Sequence, residues 1–271
     1  MKILNFTALF SFTLFISIFS ACGNNDSSNI TINGNGSIQG KNYSYLDIIN
    51  SSKNNNENIT LNHLHYLHNI DIFSVKQNSK LTNNGNLLIE NSQTESLNAI
   101  DSNSSKTLSD LIIINDKNIT IKNSHAKKSL NIIKTHYNEE ITNNGNLTIA
   151  NSTLDLSYDS DFRKKSLEII NMTGGVYFLN KGNLYIKDTN NTVGVYFHNS
   201  LGEFYNAGSI RIDSASHNSC AIKTIFSTQQ NIQYYIKNIG TIIVGNKIYT
   251  DLTKAWNAPA DANGNKPICH S

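Results

Sequence analysis

The stretch Ile141–Ser152 reads ITNNGNLTIANS, and 60 positions earlier Leu81–Ser92 reads LTNNGNLLIENS. Each copy holds an apolar residue, an Asn-any-Gly step, and then an apolar-any-apolar triplet. Alternation of that kind is the signature of a strand with one buried face. Recurrence of the whole phrase asks for a fold that repeats.

Aligned on the triplet, the chain carries eight copies: Ile30–Ile32, Ile59–Leu61, Leu87–Ile89, Ile119–Ile121, Leu147–Ile149, Leu184–Ile186, Ile210–Ile212 and Ile242–Val244. Successive copies lie 26 to 37 residues apart. In six of them an Asn comes directly before the triplet: Asn29, Asn58, Asn86, Asn118, Asn146 and Asn183. Five share the longer Asn-any-Gly signature, ending in Gly85, Gly145, Gly182, Gly208 and Gly240. These glycines are expected to supply a positive φ at a sharp corner, with Asn bonding its own backbone beside them. A third strand recurs as YLDII (Tyr45–Ile49), NIDIF (Asn69–Phe73), SLNII (Ser129–Ile133) and SLEII (Ser166–Ile170).

One such unit buries almost nothing, whereas stacked units form continuous parallel sheets around an Ile, Leu and Val core. Hairpins would explain the alternation but not one corner recurring once per period. The expectation is an all-β, right-handed parallel β-helix of about eight rungs over residues 29–250, with corner asparagines stacked as an amide ladder. Uneven steps imply loops of variable length, the longest around Ser157–Lys165.

Composition agrees. The chain has 271 residues, 38% hydrophobic and 15% charged, with a net charge of +2. No clustered basic face argues for nucleic acid. Its 44 asparagines are a composition shared with prion-like disorder, but β-branched runs such as Leu111–Asn115 argue for order, with Asn at turns. The nine-residue calcium-binding repeat is excluded by the long period and the lack of recurrent Asp.

Residues 1–21 read as a secretory leader: Lys2, an apolar stretch to Phe19, then Ser20 and Ala21. Phe19–Cys22 (FSAC) resembles the lipobox of bacterial lipoproteins, although Phe stands where Leu is usual. The resemblance implies acylation of Cys22, a partner in the lipid membrane, a tether over residues 22–28, and an outer-membrane or cell-surface location. Cys220 and Cys269 can pair in an exported chain, pinning the tail to the last repeats; free thiols are the alternative. Residues 251–271 hold both prolines and the only Trp. They read as a tail, a truncated linker or a cover over the last rung.

Apolar-any-Asn-any-Gly repeats behind a secretion signal resemble the passenger segment of autotransporter adhesins; LGEFYNAGSIRI (Leu201–Ile212) is typical. With the lipobox, the pattern is similar to the lipidated Campylobacter adhesion protein A type. The resemblance implies a non-catalytic surface adhesin engaging a host or cell-surface protein or glycan. The family's translocating barrel finds no counterpart after Val244, so the chain reads as a passenger without it.

Catalytic chemistry is sparse. Arg163 and Arg211 are the only arginines. Arg211 should point outward between Ile210 and Ile212, and Asp213 to the opposite face. Asp155, Asp159 and Asp161 cluster in the long excursion, and Glu139 and Glu140 should face opposite ways. HLHYLH places His63 and His65 on one face if it is a strand, with His68 on the other; exposed histidines are the simpler reading. No cofactor and no metal site is expected. Asn103, Asn118 and Asn190 match an Asp-any-Asn-any-Ser/Thr glycosylation sequon. Tyr185 should alternate outward and is a binding candidate, though sheet propensity alone explains it. A carbohydrate-active β-helix with an acidic groove, and a structural lipoprotein without ligand, are the alternatives.

Overall fold

The computed structural model describes residues 29–33, 37–38, 43–49, 51–66, 69–76, 78–103, 111–155, 166–198, 202–226 and 228–270. The leader, Cys22, the tether, His68, Asp159, Asp161 and Arg163 lie outside the described residues.

The chain winds as a parallel β-solenoid with three sheets, called A, B and C here. Sheet A runs Asn29–Asn33, Asn58–Asn62, Leu87–Glu90, Ile119–Lys122, Leu147–Ala150, Asn183–Lys187, Ser209–Ile212 and Thr241–Val244. Its register pairs Ile30 with Ile59, Ile59 with Leu87, Leu87 with Ile119, and so on to Ile210 with Ile242. These are the eight aligned copies, residue for residue.

Sheet C precedes each Asn corner. It contains Ser52–Asn55, Lys80–Asn83, Leu111–Asn115, Glu139–Asn143, Val176–Asn180, Glu203–Asn206 and Ile236–Asn238. Sheet B holds the third strand. It includes Asn69–Lys76, Gln93–Asn103, His125–Lys134, Ser166–Met172, Thr192–Phe197, Cys220–Thr224 and Lys266–His270. Ser129 pairs with both Ser96 and Ser166, so the recurring third strand has a further rung at Ser96. The first copy is shifted: Leu46 pairs with Phe73 and Tyr43 with Ile70, three positions from the alignment of Tyr45 with Asn69. Strong apolar residues at both frames of YLDII make that register ambiguous to pattern alone.

Apolar side chains stack rung upon rung inside. Ile59, Leu87, Ile119, Leu147, Leu184, Ile210 and Ile242 form one column, each no more than 1% exposed. Leu81, Ile113, Ile141, Phe178, Phe204 and Ile236 form another. The rings of Phe178 and Phe204 lie 5.8 Å apart, and Phe197 meets Phe204 edge-on at 6.4 Å. Burial on this scale is the main stabilising term.

Residues 251–270 carry two regular elements joined by turns. Asp251 caps a short helix at Leu252–Trp256, and Lys266–His270 joins sheet B beside Cys220–Thr224. The Cys220–Cys269 disulfide links these two strands. Trp256 stacks on His270 at 4.3 Å. In sheet A, Lys247–Tyr249 folds back antiparallel on Thr241–Val244.

Candidate functional site

The first corner is a continuous amide ladder. Each Nδ2 donates to the Oδ1 of the next rung: Asn55 to Asn83 and Asn83 to Asn115 at 2.7 Å, then Asn115 to Asn143, Asn143 to Asn180 and Asn180 to Asn206 at 2.8 Å. Asn206 donates on to Asn238 at 2.5 Å. In Asn55, Asn83, Asn115, Asn143, Asn180 and Asn238 the Nδ2 also reaches its own backbone two residues on, for example Asn143 to the Gly145 carbonyl at 2.9 Å. Asn55 and Asn115 belong to the ladder although Glu57 and Lys117 stand where the other corners have Gly.

The five corner glycines do share one edge, but not for the expected reason. None has a positive φ; among the described residues the positive-φ glycines are Gly174, Gly245 and Gly264. A Cβ on Gly182 would instead sit 1.8 Å from the Gly145 carbonyl oxygen, and one on Gly208 would sit 1.9 Å from that of Gly182. The glycine is required by close approach of the neighbouring rung's backbone. Positive φ falls at the second corner, after sheet A, at His63, Asn91, Asn123, Asn151 and Asp188. A buried hydroxyl follows at most of these positions: the amides of Leu64, Ser92 and Ser124 donate to the Oγ atoms of Ser92, Ser124 and Ser152 at 3.2–3.3 Å. The phrases IENS, IKNS and IANS, ending at Ser92, Ser124 and Ser152, carried this signal in the sequence.

The outer face of sheet A bears a second, exposed ladder. Asn86 donates to Asn58, Asn146 to Asn118, and Asn183 to Asn146, at 2.7–3.0 Å. Beside it Thr148, Tyr185, Arg211 and Ile243 occupy one register column. Asn146, Thr148, Asn183, Tyr185, Ser209, Arg211 and Ile243 line an open depression of about 340 Å³. Tyr185 and Arg211 face outward as expected, and the guanidinium carbon lies 5.4 Å from the Tyr185 ring centroid. Asp213 does not point inward. It sits past the strand end, where its Oδ1 accepts from the amides of Ala215 and Ser216 and from the Ser216 hydroxyl.

Sheet B carries a polar seam that the sequence reading missed. Asp71, Asn98, Asn131 and Glu168 are register partners on successive rungs. They follow core residues such as Leu97 and therefore face the other side of the sheet. Asn98, Asn131 and Glu168 are nevertheless buried. Asn98 donates to Asp71 at 2.7 Å and Asn131 to Asn98 at 2.9 Å. Beyond that the chain of bonds stops: Asn131 Oδ1 and Glu168 Oε2 have no hydrogen-bond partner. Glu168 Oε1 lies 3.3 Å from His198 Nε2. One column over, Asp101 lies 3.3 Å from His136 Nε2 and 3.6 Å from Lys134 Nζ. Burial raises the Asp101 carboxyl, but the His136 hydrogen bond and the charges of Lys134 and His136 outweigh it, leaving the pKa below its ordinary value. Burial, and then the nearby Glu168 charge, push the Tyr196 hydroxyl up.

Glu139 and Glu140 face opposite ways, buried and exposed respectively. Glu139 accepts from Ser102 Oγ at 2.6 Å and from the His136 amide at 3.1 Å, which ties a turn rather than forming a catalytic pair. Asp155 is half-buried. His63 turns the second corner at φ 53° and His65 lies in a strand; both are exposed. Among the described residues no group of three or more His, Cys, Asp or Glu side chains could hold a metal ion. Nor is any helix among them long and apolar enough to cross a membrane. Asn118 and Asn190 are exposed, and Asn103 ends its strand. No protein-family model, curated protein or solved structure matches this chain.

Proposed function

We propose that this chain is a lipid-anchored, surface-displayed β-solenoid of the adhesin-passenger type that binds a ligand without transforming it. The observation that carries this reading is the open depression on sheet A, built on a laddered, rigid face and offering hydrogen-bond donors to solvent. A stiff scaffold of stacked rungs suits presentation of such a face. The leader and the FSAC lipobox support export and acylation at Cys22. Protease treatment of intact cells tests display: digestion of the solenoid supports it, and full protection with digestion only after lysis overturns it. Metabolic labelling with palmitate, lost in Cys22→Ser, tests the anchor.

A second reading is a carbohydrate-active β-helix. It is favoured by the Asp101–His136 and Glu168–His198 pairs on sheet B, where buried acids meet histidines. Release of reducing ends or unsaturated products from polysaccharides by the purified protein, abolished in Glu168→Gln, would establish it.

A further inference from the structure

We propose that the depression around Arg211 binds a carboxylate-bearing saccharide, with the Arg211 guanidinium taking the carboxylate. The proposal rests on the binding reading above and names the ligand class for it.

Charge comes first. Arg211 is exposed and makes no ion pair among the described residues. No acidic side chain lines the depression. The nearest acid in sequence, Asp213 just past the strand end, is engaged by the amides of Ala215, Ser216 and Asp188. An unpaired guanidinium with its fork of N–H donors matches a carboxylate in geometry as well as in sign.

Placement comes second. Arg211 lies across Tyr185 instead of swinging free in solvent. The cation–π contact restricts the side chain before any ligand arrives, which lowers the ordering cost of binding.

The remaining lining fits a sugar. Asn146 donates to Asn118, and Asn183 donates to Asn146. Each amide carries two N–H donors. Its second therefore remains for hydroxyl oxygens of a ligand, alongside the hydroxyls of Thr148 and Tyr185. Ile243 and the Tyr185 ring supply apolar surface for the C–H face of a sugar ring. The depression is open, so a chain of sugars could lie along the sheet.

The test uses the mature chain and three probes: a galacturonic acid oligomer, its methyl ester, and a neutral glucose oligomer. Calorimetry should show the acid form binding at least about tenfold more tightly than the ester, with affinity falling as salt rises. Arg211→Gln should reduce acid binding by about tenfold or more at unchanged melting temperature. Lys122→Gln, elsewhere on the same face, should leave it intact. Equal binding of acid and ester, retention of binding in Arg211→Gln, or no binding of the acid oligomer would overturn the ligand class. None of these results depends on where the protein resides. Acid binding by a chain that is protected in intact cells would instead remove the surface-adhesin reading and leave the site standing.

Discussion

The amide ladder of the first corner and the polar seam of sheet B are both buried columns of stacked side chains, and of these two only the ladder is satisfied throughout. At the first corner the same side chain is stacked seven times, from Asn55 to Asn238, and each link from one rung to the next is a hydrogen bond. On sheet B the column reads Asp71, Asn98, Asn131, Glu168, and it breaks between the last two. The difference is one of symmetry. An amide presents a donor at one end and an acceptor at the other, so identical amides stack head to tail over any number of rungs. Acidic groups at both ends supply no amide donor. Reversing Asn98 and Asn131 would bring an N–H to Glu168 but leave Asn98 Oδ1 against Asp71. One junction faces acceptor to acceptor whichever way the amides point. Repetition of one residue is thus what makes a buried polar column stable, and a mixed column carries a fault that a single substitution can repair.

The largest effect is expected where the satisfied column is most tightly built. Gly182→Ala places a Cβ against the Gly145 carbonyl and must move the backbone of a rung, at a cost of about 3 kcal/mol or more. Chemical denaturation should show it as a lowered midpoint. A midpoint equal to wild type would mean that the rungs are not in this close register.

Next is the ladder itself. Asn143→Ala takes the acceptor from one of the two bonds of Asn115 Nδ2 and the donor from Asn180 Oδ1 in the interior, and should cost about 2–3 kcal/mol. The same change at Asn146, in the exposed ladder, should cost well under about 1 kcal/mol, because water replaces the lost bonds. Equal losses at the two sites would dissolve the distinction between buried and exposed ladders.

Glu168→Gln sharpens the comparison from the other side. It puts an N–H donor beside Asn131 Oδ1, keeps an acceptor for His198, and should raise stability by about 1 kcal/mol at neutral pH. A loss of stability would show that the junction is already satisfied.

The smallest effect concerns acid. The Asp101 pKa is lowered in the folded chain, so its contribution is present above the unfolded carboxyl value of about 4 and disappears as pH falls through the lower folded value. The stability gap between wild type and Asp101→Asn should therefore narrow as the pH is lowered from 5 toward 3. A gap that stays constant over that interval would detach Asp101 from the acid response.

Sheet A was readable because its apolar-any-apolar triplets face a core on one side and solvent on the other. Alternation then reports burial, and the recurring Asn reports the corner. The glycines were readable as positions but not as causes. A missing Cβ looks the same in sequence whether a turn needs positive φ or a neighbouring rung needs space. The serine column of the second corner left a signal in the repeated NS pairs. The seam on sheet B was readable as a position but not as buried: Asp71, Asn98, Asn131 and Glu168 hold the middle place of the recurring third strand, where a polar residue between apolar ones reads as facing solvent.

The sequence by itself determined a coil of stacked strands, its period, its core face and the residues at its first corner, since each of these follows from local alternation repeated along the chain. Only the tertiary structure decided that Leu252–Trp256 forms a helix and Lys266–His270 a strand, and that Cys220 lies against Cys269. It alone brought Tyr185, Arg211 and the outer amides around one depression. Those neighbours come from different rungs, and their contact depends on how far the backbone travels in each turn, which loops of uneven length set and local pattern does not record.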